Sequence, residues 1–387
     1  MSSEETGSEQ EQAAQDAADA IADARAMERA LATSGGGDRA AGRAGPQDTP
    51  GAADPARPHP YASLTPERVL DSLETVGYRC DGRLLTLNSY ENRVYLVGLD
   101  DGSQCVAKFY RPERWSDAQI LEEHRFVDAL AAAEVPAVPA RIDADGDSLH
   151  RHDGFRFALF DRRGGRAPEL ESRHTRQWLG RFIGRIHAVG RTVPFVERPA
   201  LDAREFGEEP RDWIVSHGMV PAPLDAVWTS VVDQALAGIA TCERAAGPTA
   251  MLRLHGDCHP GNILWTEPDR TQPGGPHFVD FDDSRSGPAL QDLWMLLSGG
   301  RDEMTRQLAD LLAGYRQFLP FDARELHRLE ALRTLRMIHY SAWLARRWDD
   351  PAFPAAFPFF GSERYWQDQI LALREQVAAM EEPPLRP

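Results

Sequence analysis

The stretch His255-Gly256-Asp257-Cys258-His259-Pro260-Gly261-Asn262 decides how the rest of this sequence is read. It lies between an apolar entry, Met251 to Leu254, and an apolar exit, Ile263 to Trp265, so a polar loop is held between two strand-like runs. An Asp followed five residues later by an Asn suits phosphoryl transfer. The carboxylate reaches the attacking hydroxyl, and the amide, one loop turn on, coordinates a magnesium on the phosphate side. Gly256 and Gly261 allow the tight turn between those two duties. Asp and Asn in a Gly/Pro loop are also ordinary turn formers. The flanking apolar runs favour the chemical reading.

Eighteen residues past Asn262 stands Asp280, in the run Phe278-Val279-Asp280-Phe281-Asp282-Asp283. Strand alternation puts Asp280 and Asp282 on one face and Phe281 on the other. Magnesium bridging phosphates takes one or two carboxylates besides the phosphate oxygens, and Asp280 is the expected ligand, with Asp282 and Asp283 in support. An Asx turn closing a strand is the competing reading. The intervening Glu267–Pro276 reads as a long hairpin tip without chemistry.

Of the 43 basic residues, 42 are arginine, and the one lysine is Lys108 in Val106-Ala107-Lys108-Phe109. Drift towards arginine in a GC-rich genome explains the bias, but a compact point charge marks a position where a guanidinium does not substitute. The V-A-K pattern approaches the V-A-I-K of kinases, whose lysine contacts the α/β-phosphates and pairs with a glutamate on the next helix. Glu122 and Glu123 are the candidates. Glu123 shares the apolar face of Phe126, Val127 and Leu130 and is the expected partner, whereas Glu122 shares a face with Arg125 and reads as solvated. No glycine-rich phosphate loop is present. Asn88-Ser89-Tyr90-Glu91-Asn92 stands in its place, where amides and the Ser89 hydroxyl suit a phosphate cradle and an ordinary polar hairpin equally.

Around these motifs the chain divides by composition. Residues 1–60 hold 11 acidic and 5 basic side chains and no aromatic before Tyr61, which predicts a disordered tail. Thr65-Pro66 caps a first helix that ends at Gly77. Strand-type runs follow at Leu84–Leu87, Arg93–Leu99 and Ser103–Tyr110, the last two joined by Asp100-Asp101-Gly102. A Ser116/Gln119 capping box opens a helix to Ala133, and further strands are expected near Ala140–Ile142 and Phe155–Phe160, before a Gly164-Gly165 linker. Beyond it the pattern is helical near His174–Val189, Leu224–Ala246, Gln291–Leu297, Glu303–Phe318, Arg324–Arg347 and Glu363–Met380, broken by β segments at Met251–Trp265 and His277–Phe281. The architecture is α+β: a small β-rich lobe at 61–165, a larger, mainly helical lobe at 166–387, and a cleft between them.

The 387 residues carry a formal charge of −17, which argues against a nucleic-acid partner and suits a cationic substrate. No apolar run is long enough to cross a bilayer, so no membrane partner is expected. Cys80, Cys105, Cys242 and Cys258 lack paired spacing and read as reduced thiols of a cytoplasmic protein. Several conspicuous residues have plainer readings. Cys258, His255 and His259 lack zinc-ligand spacing. His187 reads as a satisfied core histidine, Arg346-Arg347 and the Arg162–Arg166 cluster as solvated, and the aromatic Trp348–Trp366 segment as packing for the last helix.

Six strings carry a resemblance to a known family: LNSYENRVY (87–95), KFYRPERW (108–115), ILEEH (120–124), LRLHGDCHPGNILW (252–265), GPALQDLWMLL (287–297) and DPAFP (350–354). Together they resemble the bacterial stress response kinase A family, within the aminoglycoside-phosphotransferase-like and choline-kinase-like folds. The resemblance spans roughly Tyr61 to Pro384 and implies a two-lobed protein-kinase-like fold. It also implies a monomeric cytoplasmic Ser/Thr protein kinase that uses ATP and magnesium in a stress response. By motif position Asp257 would be the catalytic acid/base, Asn262 and Asp280 would hold magnesium, Ser89 would lie over the ATP phosphates, and Asp292 would brace the catalytic loop. The acidic extension, the Glu267–Pro276 insert and Pro260 depart from the family pattern. A small-molecule kinase acting on an amino alcohol or aminoglycoside is the alternative on the same fold, and a pseudokinase scaffold is disfavoured by the complete Lys, Glu, Asp, Asn, Asp set.

Overall fold

A computed structural model describes residues 59–87, 89–268 and 274–387. The expected disordered tail therefore lies, except for its last two residues, outside the described residues, as do Asn88 and the middle of the 267–276 loop.

Helix α1 (Pro66–Thr75) starts where its cap chemistry requires, with the Thr65 hydroxyl accepting from the Arg68 N–H. Strands β1 (Cys80–Leu87), β2 (Arg93–Leu99) and β3 (Gln104–Phe109) follow as an antiparallel meander. Helix α2 (Asp117–Ala132) opens on the reciprocal Ser116/Gln119 capping box. Strands β4 (His150–His152) and β5 (Phe155–Asp161) complete a five-stranded sheet in the order β1-β2-β3-β5-β4. The strand expected at Ala140–Ile142 reduces to a single bridge between Ala140 and Phe160, because Pro136 and Pro139 deprive the approach of amide donors. β4 gives no signal in the sequence, since its three residues are too few to show a period.

The second lobe begins with α3 (Arg173–Gly190), one π-helical turn at Arg204–Glu208, α4 (Glu209–Ser216) and α5 (Ala222–Ala246). Four short strands then form two separate pairs. β6 (Leu252–Leu254) pairs with β9 (Arg285–Gly287), and β7 (Ile263–Thr266) pairs with β8 (Gly275–Phe278). Helices α6 (Gln291–Trp294), α7 (Arg301–Tyr315), α8 (Leu329–Ala345), α9 (Ala352–Ala356) and α10 (Glu363–Glu381) close the chain. The helix expected from Arg324 begins at Leu329, after a 3-10 stretch at Ala323–Arg328.

The main core fills the space between α3 and α7, with Leu179, Ile183 and Ile186 facing Leu308, Leu311 and Leu312. Gly180 makes that approach possible, since a Cβ there would lie 1.9 Å from the Leu311 carbonyl oxygen. The aromatic segment after α8 packs as expected, with Phe353, Phe357, Phe360 and Trp366 in a second core beside Trp228. It also reaches the first lobe, where the Tyr90 ring sits 4.8 Å from that of Phe357. All four cysteines are free. Among the described residues no helix is long and apolar enough to cross a membrane.

Candidate active site

The loop between β6 and β7 is built on one buried carboxylate. Asp292, on α6, accepts from the His255 N–H (2.8 Å) and the Gly256 N–H (2.9 Å), and meets His187 Nε2 at 3.0 Å. His187 Nδ1 meets the Tyr315 hydroxyl at 3.0 Å, so this histidine is the satisfied core residue its helix face suggested. Gly256 turns the chain at φ 88°, and a Cβ on it would lie 2.1 Å from the Asp283 carbonyl oxygen, so no other residue fits. His255 Nε2 lies 2.9 Å from the Val279 carbonyl oxygen, which ties the loop to the start of the aspartate-rich segment.

Burial pushes the Asp292 carboxyl up, but hydrogen bonding and charge from His187, with His255 and the Gly256 amide, hold it below the ordinary range. Its stabilising contribution is therefore complete above the unfolded-state value near pH 4 and fades only as pH falls towards the folded-state value. Asp292→Ala strands two buried amides and a buried histidine, and is expected to cost about 3–5 kcal/mol, read from the denaturant midpoint. A shift below about 1 kcal/mol would show that the loop holds itself.

Pairing of β7 with β8 then brings the second motif alongside. Ile263 stands opposite Phe278, and the Val279 N–H donates to the Asn262 carbonyl at 3.1 Å, so Asn262 lies beside Asp280. The alternating-strand reading of Asp280 to Asp282 is corrected here. β8 ends at Phe278, Asp280 adopts a left-handed conformation (φ 56°, ψ 63°), and Phe281–Asp283 form a 3-10 turn. The bend still separates the side chains as expected, because Phe281 goes into the core against Phe126 and His255.

Asp257 sits one-fifth exposed between a guanidinium and an imidazole. Arg336 of α8 reaches Oδ1 at 2.6 Å, and His259 Nε2 lies 3.5 Å from Oδ2. The Asn262 amide donates to the Asp257 carbonyl oxygen (3.0 Å) and leans towards Oδ2 (3.4 Å). Burial would raise the Asp257 carboxyl, but Arg336 and then His259 outweigh it and hold it well below the ordinary range. Such a carboxylate is a weak base that remains ionised and fixed in direction, which suits orienting a hydroxyl for a loose, metaphosphate-like transition state.

Lys108 is 6% exposed, with Nζ 2.9 Å from Asp280 Oδ1 and 3.3 Å from Asp282 Oδ1. Burial opposes its charge, and Asp280, Asp282 and Glu123 more than restore it. The expected Lys108–Glu123 pair is corrected: Glu123 Oε2 accepts instead from Arg198 at 2.7 Å, near enough to Lys108 to act on it only through its field. Glu122 is corrected too. It is buried rather than solvated, and accepts from the backbone N–H groups of Val196, Glu197 and Arg198 at 2.7–2.9 Å. Both glutamates face the same incoming segment, which helix periodicity on α2 alone does not show.

The Ser89–Asn92 turn is anchored from the other lobe. Glu91 accepts from Trp343 Nε1 (2.6 Å) and pairs with Arg347 (2.7 Å), so Arg347 is half-buried and paired, not solvated. Asn92 donates to Asp282 Oδ2 at 3.2 Å, and its own oxygen accepts from the Arg111 N–H. Arg114 holds both Asp282 and Asp283. Buried Asp350 pairs with Arg93 and Arg111 at 3.3 Å each, so the DPAFP string fastens the sheet to the helical lobe. The roles of Arg198, Arg336 and Asp350 escape sequence reading because each pairs with a charge more than seventy residues away.

Asn262 and the half-exposed Asp280 offer one amide oxygen and one carboxylate close together. Among the described residues no cluster of three or more His, Cys, Asp or Glu side chains could hold a metal alone. A sparse oxygen set fits magnesium, which keeps waters and binds through one or two carboxylates plus nucleotide phosphates.

Comparison with known proteins agrees with this geometry. The phosphotransferase enzyme family profile matches residues 84–332. The chain is 43% identical to stress response kinase A of Escherichia coli strain K12 over 326 residues, covering 84% of this chain and 96% of that protein. The same identity and coverage relate it to the serine/threonine protein kinase RdoA of Salmonella typhimurium strain LT2. Among solved structures it is similar to the amicoumacin kinase hAmiN in complex with AMP-PNP, Ca2+ and Ami, with a TM-score of 0.64 at 17% identity over 83% of this chain and 95% of that one. Loop, sheet order and relatives converge: the chain belongs to the phosphotransferase enzyme family and, within it, to the stress response kinase A family.

Proposed function

We propose that this kinase transfers the γ-phosphoryl group of ATP to Ser or Thr hydroxyls of proteins, as a monomeric cytoplasmic enzyme of a stress response. Residues 61–165 form the nucleotide lobe in this reading, and 166–387 the catalytic and acceptor lobe. Asp257 orients the acceptor hydroxyl and takes its proton, Ser89 and Lys108 bind phosphate oxygens, and Asn262 with Asp280 holds magnesium. When bound, the metal neutralises charge on the phosphates. Glu123 acts through Arg198 and the field at Lys108.

The observation that carries the protein reading is the guanidinium on Asp257, Arg336 at 2.6 Å, with the His259 imidazole at 3.5 Å on the other side. A hydroxyl bonded to Asp257 has a guanidinium on one side and an imidazole on the other. An amino alcohol bonded there would bring its ammonium close to that guanidinium, a like-charge contact that a protein hydroxyl does not make. Nearby Asp283 offers no relief, since Arg114 and Arg285 already hold it. A neutral Ser or Thr side chain meets no such penalty. The acidic overall balance, which suits a cationic substrate, is thus offset at the acceptor position by Arg336.

The test is incubation with labelled ATP and magnesium in the presence of a mixed protein acceptor, ethanolamine and an aminoglycoside. Label is expected on protein, whether the acceptor or the enzyme itself. Label confined to the amines would establish the small-molecule reading instead.

A further inference from the structure

Arg198 is fully buried and lies between α3 and the π-helical turn, outside every motif that identifies the family. Its guanidinium is shared among three places. Nε donates to the Gln119 carbonyl oxygen (2.9 Å) and one terminal nitrogen to Glu123 (2.7 Å), both on α2 or at its start. The other terminal nitrogen donates to the carbonyl oxygens of Asp282 (2.5 Å) and Ser284 (3.1 Å), on the turn after Asp280. The planar group stacks on Trp115 at 4.5 Å. Helix α2 returns the grip, since Glu122 accepts from the backbone N–H of Arg198 and of its two predecessors. The next residues lie along β9, with the Leu201 N–H donating to the Ser286 carbonyl at 2.7 Å.

In other kinases the helix carrying the glutamate must be seated against the lysine strand and the metal-binding aspartate before transfer begins, and modification of the loop after that aspartate controls the seating. Here the glutamate side chain is taken by an arginine that also holds the aspartate turn. We propose that Arg198 is a positioning residue for phosphoryl transfer, a built-in strut that seats α2 against the 280–284 turn and keeps Lys108 and Asp280 in register. A lysine cannot replace it, because a single ammonium does not span four acceptors on two elements. The strut also means that seating needs no added phosphate on the 280–286 segment.

This inference rests on the kinase reading for its kinetic readout, so its test includes one that does not. The full chain without nucleotide or metal is compared with Arg198→Met and Arg198→Lys by hydrogen exchange, and all three by steady-state kinetics with a protein acceptor. Arg198→Met is expected to speed exchange by about tenfold in both 117–132 and 281–286. It should also lower kcat on the order of 10²-fold, with acceptor KM within about twofold. Arg198→Lys should recover part of the α2 protection but not that of the turn, and should not restore kcat. Should Arg198→Met fail to fold, Arg198→Lys decides alone: an unchanged turn and wild-type kcat overturn the proposal. Faster exchange confined to residues 193–201 with kcat unaltered also overturns it. Wild-type protein that labels no protein would refute the acceptor reading, while the exchange comparison would still decide the strut.

Discussion

Asp257→Ala is expected to lower kcat by on the order of 10²–10⁴, the range that a positioned acid–base group contributes. Nucleotide affinity should stay within about threefold, because the loss falls on the chemical step and not on ground-state binding. The geometry explains why a carboxylate held so far below its ordinary range still matters. Arg336 and His259 fix the direction of its two oxygens, and the Asn262 amide bonds back to its main chain, so in the proposed role the group would aim the acceptor oxygen. Removing it also takes the carboxylate away from Arg336 and leaves a guanidinium beside the acceptor position. Paired measurements of kcat and of nucleotide dissociation check this. A variant turning over near the wild-type rate would remove Asp257 from its assigned role.

Lys108→Arg is the second large effect, with an expected loss on the order of 10²–10³ in kcat, comparable to deleting one preorganised charge from a reaction site. The side chain is 6% exposed, and its ammonium sits between Asp280 and Asp282 with the Tyr110 ring 5.3 Å away. Asp282 is also held by Arg114, and its main-chain oxygen by Arg198, so a third guanidinium would be crowded against like charges. Arginine keeps the charge and loses the shape. Steady-state rates together with ATP affinity decide the matter, and full activity in the arginine variant would make the lone lysine an accident of composition.

The parts of the site legible in the sequence are those whose partners are close in the chain or whose elements have a clear period. Asp257 and Asn262 lie five residues apart on one loop, and β7 pairing with β8 brings Asp280 beside them across a hairpin. Lys108 stands on a strand of recognisable apolar pattern, and α2 announces itself by its capping box. The Asp280–Asp283 segment reads as a continuing strand because its alternation is real although its backbone is not extended: a left-handed residue and a 3-10 turn reproduce the same separation of side chains. For Glu122 and Arg347 periodicity is a poor guide, since it tells a buried face from a solvated one only when the neighbouring element is known.

What sequence alone determined was the order of elements, the α+β class and the two candidate motifs, since hydrophobic period, capping and loop spacing are local properties of the chain. Tertiary structure decided which charges meet. Arg198 takes the glutamate, Arg336 takes Asp257, and Asp350 takes Arg93 and Arg111, across separations of 75, 79, 257 and 239 residues. An ion pair requires only that two opposite charges share a desolvated place, and no periodicity encodes which two will do so.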